Sequence, residues 1–220
     1  MADTVAAGWT PCVEHLGLEA WQCVYEPSED TFLLLDALHG DASLLRSARL
    51  VVEIGPGSGT VTTFVSRLIN RAAMHLAVDV NRAACDATTS TAIANGVGAR
   101  VEVVQGDLLS GLRLRGKVDA LIFNPPYVPT DSTEVASDGI EAAWAGGLRG
   151  REVVDRLLPH VSEWLADCGA FYLVVVDEND PREIMAALAK QSLRAEIVAS
   201  KRARNEKLSV IRATKGPAPS

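Results

Sequence analysis

The chain is predicted to fold as a single α/β domain with a mostly parallel sheet and helices on both faces. Three observations predict it. Short apolar runs alternate with helical stretches along most of the chain, the pattern of successive βα units. The first run, Leu50-Val51-Val52-Glu53-Ile54, passes directly into Gly55-Pro56-Gly57-Ser58-Gly59 and then into a helix. The last two runs, about 194–199 and 208–213, have no helix between them and read as a pair of closing strands.

Bulk properties narrow the function. At 220 residues, 48% apolar and 22% charged, the chain has the composition of a soluble globular domain with one sizeable core. Its net charge of −7 opposes a large phosphate-binding surface, which weighs against DNA or structured RNA as the main substrate. Cys12, Cys23, Cys85 and Cys168 form no C-x-x-C pair and have no histidine at ligand spacing, so no zinc is expected in the chain itself. Scattered single thiols suggest packing roles in a reducing compartment. The longest apolar run, 170–176, is too short for a bilayer, and no signal peptide is evident, which points to the cytosol, with or without the nucleus.

Taken in order, residues 1–22 lack periodicity and read as a partly ordered arm before a domain of residues 23–214 and a tail of 215–220. Ser28 reads as the N-cap of a leucine-rich helix through Leu38, whose entrance also gathers Tyr25, Glu26 and Thr31. The glycine loop is followed by a helix over about 60–70. Its G-x-G-x-G spacing, with an acid before it and no Lys-Ser/Thr pair after it, is neither a dinucleotide fingerprint nor a P-loop. A second strand, about 74–78, runs into Asp79-Val80-Asn81 and a helix over about 82–94 that stops at Asn95-Gly96. A third strand, 100–105, leads to Gly106-Asp107-Leu108.

Three consecutive strands thus finish in an acid: Glu53, Asp79 and Asp107. Ligands of open parallel sheets sit outside these carboxyl ends. An acidic edge suits sugar hydroxyls and a nitrogenous base and repels phosphate, so it favours a nucleoside over a dinucleotide. The fourth strand, 118–123, delivers Asn124-Pro125-Pro126-Tyr127. Two prolines stop the ladder and stiffen the bend. This turn is either a plain strand terminator or a site, in which the Asn124 side chain and the Pro125 carbonyl offer paired acceptors to an amine or amide. Residues 128–150 read as a long covering loop, 151–166 as a helix, 170–176 as a fifth strand, and Asn179-Asp180-Pro181 as the cap of another helix. The basic run 201–207 reads as a solvated hairpin connection.

With these motifs the chain resembles the class I S-adenosylmethionine-dependent methyltransferases. More closely it is similar to the HemK-like protein glutamine methyltransferases, in the eukaryotic and archaeal branch whose catalytic subunit methylates the class 1 translation release factor. The segments that carry the likeness are Tyr25–Leu38, Glu53–Gly59, Asp79–Asn81, Asp107-Leu108, Phe123–Val128, Gly139–Trp144 with Gly146-Gly147, Gly150–Val153 and Arg204–Arg212. The resemblance implies a Rossmann-like sheet of seven strands in the order 3-2-1-4-5-7-6. It implies that Tyr25, Thr31, Glu53 and the backbone of Gly55, Gly57 and Gly59 surround the methionine part of the cofactor. Asp79 and Val80 would take the ribose, and Asp107 with Leu108 the adenine, with Asn124 nearby. Asn124, Pro125, Pro126, Tyr127 and Trp144 would hold the substrate, with Asn124, Pro125 and Tyr127 acting in the transfer. S-adenosylhomocysteine would be the product.

The resemblance also implies a small zinc-binding activator subunit, forming an obligate heterodimer over the edge strand at 100–105. Val101, Val103 and Val104 give that edge no charge pattern strong enough to blunt pairing. Alternative substrates are a histone H4 lysine and the N6 amine of adenine in DNA. The absence of a long basic run disfavours DNA, and a paired acceptor site suits an amide better than a solvated amine.

Overall fold

The computed structural model describes residues 6, 8–135, 144–203 and 206–217. The motif residues 139–143 and 204–205, and parts of the arm and tail, lie outside the described residues.

The first half of the chain, through Leu112, opens with a short helix α1 (Leu18–Trp21), followed by α2 (Glu29–Gly40) and α3 (Ala42–Leu45). Two βα units and a third strand then build the parallel strands β1 (Leu50–Ile54), β2 (Met74–Asp79) and β3 (Val101–Gln105), with α4 (Thr60–Leu68) and α5 (Arg82–Ala94) as crossovers. Val51, Val52, Ala77 and Val78 are buried because helices cover the parallel sheet. The strand expected at 100–105 starts one residue later, since Gly98–Arg100 forms a 3-10 turn. The helix expected to reach residue 70 ends at Leu68, with Ile69 already extended.

The segment before α2 adheres to this half through isolated anchors. Trp9 stacks on Phe64 of α4 with ring centroids 6.0 Å apart, and the Arg67 guanidinium lies 4.8 Å from the Trp9 ring. Cys12 and Asn95 exchange two hydrogen bonds: Cys12 N donates to Asn95 Oδ1 at 3.0 Å, and Asn95 Nδ2 donates to Cys12 O at 2.8 Å. Leu16 and Val24 pack with Ala84 and Ala87 of α5. Anchors spaced this way have no helical or strand period, so the sequence showed only an aperiodic stretch there.

The second half begins with β4 (Val118–Phe123) and a single turn, α6 (Ser132–Val135). The helix expected over 151–166 is broken into α7 (Glu152–Leu157), a 3-10 turn at Leu158–His160, and α8 (Val161–Trp164). Pro159 has no N–H and its ring crowds the carbonyl of the preceding turn, which explains the break. β5 runs over Leu165–Val176, five residues earlier than expected. Its pairing with β4 shifts between Val118 and Ala120, Cys168 takes φ 62°, and a Cβ on Gly169 would lie 2.8 Å from Val118 O. This bulge hides the start of the strand from any period-two reading.

A 3-10 turn, Asp177–Asn179, leads into α9 (Pro181–Ala189), whose N-cap Asp180 accepts from Glu183 N at 3.1 Å. The antiparallel pair β6 (Leu193–Ala203) and β7 (Glu206–Lys215) closes the chain. Both strands are longer than expected. Lys201 and Arg202 extend β6 and Lys207 lies in β7, so these exposed residues of the basic run stand on strand ends, while 204–205 lie outside the described residues.

The strands are ordered β3-β2-β1-β4-β5-β7-β6, as expected, with β5–β7 and β6–β7 antiparallel. β3 and β6 are the sheet edges. Of the four cysteines only Cys85 is buried, which corrects the packing role expected for the others. Among the described residues no helix is long and apolar enough to cross a membrane.

Candidate functional site

The glycine loop between β1 and α4 is built from left-handed turns. Gly55, Gly57 and Gly59 have φ of 64°, 55° and 79°. A Cβ on Gly59 would lie 2.7 Å from Thr88 Cα, so the loop rests directly on the α5 backbone. Thr88 Oγ1 also donates to Gly57 O at 3.0 Å. At Gly57 the arrangement is the reverse: an added Cβ would meet nothing within 4 Å. One face of the loop is therefore packed and the other is open.

Asp79, at the end of β2, is nearly buried and closes this loop from the side. Its Oδ2 accepts from Gly57 N at 3.3 Å and its Oδ1 accepts from Asn81 N at 2.9 Å. Burial raises its pKa above the ordinary carboxylate value, while these backbone N–H groups oppose the rise. Val80 beside it is 65% exposed, an apolar side chain free to lie against a flat ring. Gly106 N donates to Asp79 O at 2.9 Å and so ties the third strand end to the second. There Asp107 is exposed, and Leu108 adopts φ 52°, a conformation costing a non-glycine residue about 1–2 kcal/mol. Tyr25 and Thr31 flank the entrance of α2, which packs on α4. Thr31 is buried, and its Oγ1 accepts from Ser28 N at 3.4 Å.

Glu53 is placed differently from the other strand-end acids. It is fully buried, with Thr62 of α4 donating a short hydrogen bond to its carboxyl. His75 Nε2 stands 3.8 Å from Glu53 Oε2, and His75 Nδ1 lies 3.1 Å from Ser66 Oγ. At 3.8 Å and without solvent the pair is neutral rather than ionic. Burial pushes Glu53 up to about 8, and burial together with the charge of Arg100 pushes His75 down to about 3. Glu53 thus braces the helix that follows the loop.

In the second half, Asn124 leaves buried β4 half-exposed, Pro125 is buried, and Pro126 and Tyr127 are half-buried. Among the described residues, the chain beyond the turn is stapled at Val128, Thr130 and Ser132. Val128 N donates to Trp144 O at 3.0 Å, and Gly146 N donates to Val128 O at 2.8 Å. Thr130 N and Gly147 O pair at 3.1 Å. Glu152 accepts from Leu148 N at 2.8 Å and from Ser132 Oγ, and these bonds hold its pKa below the ordinary carboxylate range. Trp144, expected at the substrate, is half-buried next to this staple.

These residues fit an adenosyl cofactor. The open face at Gly57, the carboxylates of Asp79 and Asp107, and the exposed Val80 suit hydroxyls, an amine and a planar base. Sequence reasoning missed Thr62, His75 and Thr88, which act through long-range contacts and carry no motif.

The sequence matches the methyltransferase small domain family over residues 26–203. Methyltransferase HEMK2 of Mus musculus is 47% identical, over 94% of this chain and 96% of its own length. The eRF1 methyltransferase catalytic subunit mtq2 of Schizosaccharomyces pombe is 39% identical, over 92% and 94%. The solved E. cuniculi Mtq2–Trm112 complex, described as responsible for methylating the eRF1 translation termination factor, aligns with TM-score 0.68 and 27% identity. That alignment covers 88% of this chain and 99% of the matched one.

Two predictions follow from the loop and the strand it leaves. Gly57→Ala places a methyl in open space and lowers stability by only about 1–2 kcal/mol through its φ, whereas Gly59→Ala adds a backbone clash. Thermal denaturation should show the larger loss in Gly59→Ala. Calorimetric titration with S-adenosylmethionine should show Gly57→Ala losing affinity out of proportion to its Tm; the opposite ranking contradicts the assignment of the open face. The second concerns pH. Between 4.5 and about 8 folded Glu53 keeps a proton that the unfolded chain has released, so its contribution to stability falls as pH rises. Between about 3 and 6.5 unfolded His75 binds a proton that the folded chain excludes, so stability falls as pH drops. The two slopes cancel between 4.5 and 6.5. Glu53→Gln should flatten the decline of Tm from pH 6.5 to 8, and an unchanged decline means that Glu53 is ionised in the fold.

Proposed function

We propose that this chain, which belongs to the methyltransferase small domain family, methylates the N5 nitrogen of a glutamine side chain. The substrate is the Gly-Gly-Gln loop of the class 1 release factor, and the methyl donor is S-adenosylmethionine. The observation that carries this reading is the Asn124-Pro125-Pro126-Tyr127 turn, stiffened by its prolines at the end of buried β4 and stapled beyond Tyr127. The names of its relatives, one an eRF1 methyltransferase catalytic subunit, support it.

When bound, the cofactor supplies an electrophilic methyl on a sulfonium. The chain's own residues prepare the nucleophile. An amide nitrogen reacts poorly because its lone pair is delocalised into the carbonyl. Asn124 Oδ1 and the Pro125 carbonyl accept the two amide hydrogens, which returns electron density to nitrogen as positive charge develops there. With the donor bound, transfer of the methyl from the sulfonium would leave the thioether S-adenosylhomocysteine, and the amide proton would then pass to water, with no side-chain base needed beforehand. The Tyr127 ring can face the charged sulfonium, worth about 0.5–2 kcal/mol. Asp79, Val80, Asp107, Leu108 and the loop backbone of Gly55, Gly57 and Gly59 hold the donor, with Tyr25 and Thr31 at its entrance. Glu53 acts by bracing α4. Trp144 lies on the substrate side.

A small activator subunit, expected to carry zinc, completes the enzyme in the cytosol by covering β3. The edge position of β3 and the 37% exposure of Val104 support this, as does the two-protein composition of the E. cuniculi relative. The test is incorporation of labelled methyl by the chain plus activator into release factor, with histone H4 and single-stranded DNA in parallel. Labelling of release factor should vanish when the Gly-Gly-Gln glutamine is replaced by alanine. Labelling that survives this replacement, or that appears only on H4 or DNA, overturns the proposal.

A further inference from the structure

The carbonyl of Tyr127 has an unusual setting. A Cβ on Gly150 would lie 1.9 Å from Tyr127 O, so the backbone of the turn touches the backbone of the covering loop. The group that closes this contact is Asn179, 2% exposed, at the end of the 3-10 turn after β5. Its Nδ2 donates to Tyr127 O at 2.9 Å, Arg149 O at 3.0 Å and Gly150 O at 3.2 Å. Its Oδ1 accepts from Val176 N at 2.8 Å, which fixes the amide's orientation. Buried Arg151 donates from Nη1 to Asn179 O at 3.2 Å, with its other nitrogens paired to Asp155. One amide thus gathers the Asn-Pro-Pro-Tyr turn, the covering loop and the end of β5.

We propose that Asn179 is a positioning residue for methyl transfer: through the Tyr127 carbonyl it sets the turn that presents Asn124, Pro125 and Tyr127. This rests on the reading of that turn as the substrate clamp. Asn179 touches neither substrate nor cofactor, and it supplies what only a neutral donor can give at this place. Alanine removes the amide donor from three carbonyls, of which that of Gly150 is buried and those of Tyr127 and Arg149 are part-buried. Aspartate keeps the acceptor for Val176 N but, when ionised, turns a negative charge toward those carbonyls. Only its protonated form donates.

The test uses the chain with its activator and compares Asn179→Ala and Asn179→Asp with the unaltered protein. Single-turnover rate on release factor should fall about 10–10²-fold in Asn179→Ala, while S-adenosylmethionine affinity stays within about twofold. Asn179→Asp should lose activity as pH rises and recover it on acidification, a limb absent from the unaltered enzyme. Hydrogen exchange of the Val128 and Gly146 amides should accelerate in both variants, with α5 amides unchanged. Rates within about twofold of the unaltered enzyme in both variants, or unaltered exchange at Val128 and Gly146, overturn the inference. If the unaltered complex does not methylate release factor, the functional reading fails separately, and the exchange data alone decide whether Asn179 sets the turn. Should Asn179→Ala not fold, the pH limb and exchange of Asn179→Asp decide it.

Discussion

The constraint on which the second half of the chain depends is a backbone contact with no room for a side chain. Tyr127 O occupies the space of the missing Gly150 Cβ, and the three carbonyls that meet there share the two N–H groups of one buried amide. A polar backbone group buried without a partner would cost about 1–3 kcal/mol, and at the buried Gly150 carbonyl Asn179 supplies that partner. Its consequence is a fixed turn: the prolines stiffen it from within, and the junction orients it from outside, as the proposed clamp requires.

The first half uses the same device at a different place. Gly59 lets the loop rest on Thr88, and the hydroxyl of Thr88 holds Gly57 O from beneath. The packed side fixes the loop and leaves its other side open. Under α4, Glu53 and His75 form a buried neutral pair with Thr62 and Ser66. A polar layer of this kind specifies how α4 sits on the strands, where an apolar layer would allow sliding.

What the sequence revealed was whatever repeats or terminates cleanly. The βα alternation, the glycine loop, the closing pair of strands and their order were legible because each rests on local composition or on a family motif. Val118–Phe123 and its proline stop were equally plain. What stayed hidden depends on irregular backbone or on partners far along the chain. Pro159 broke a helix whose apolar spacing ran on unbroken, and the bulge near Cys168 masked the start of β5. Asn179 read as part of a helix cap because the acceptors of its Nδ2 lie 29 to 52 residues away. Glu53 shared a pattern with Asp79 and Asp107, yet the helix above it claims its carboxyl. Its phase along a strand buried on both faces gave no sign of that difference.

The central claim is that this turn activates a planar nitrogen by accepting its hydrogens. The most direct measurement is the single-turnover rate of Asn124→Ala at saturating S-adenosylmethionine, read beside the cofactor's dissociation constant. The account requires a loss of about 10²–10³ in rate with cofactor binding preserved, the scale for removing one preorganised partner of developing charge. A rate that survives the substitution, or a loss that saturating cofactor restores, would show that Asn124 serves the donor and not the nucleophile.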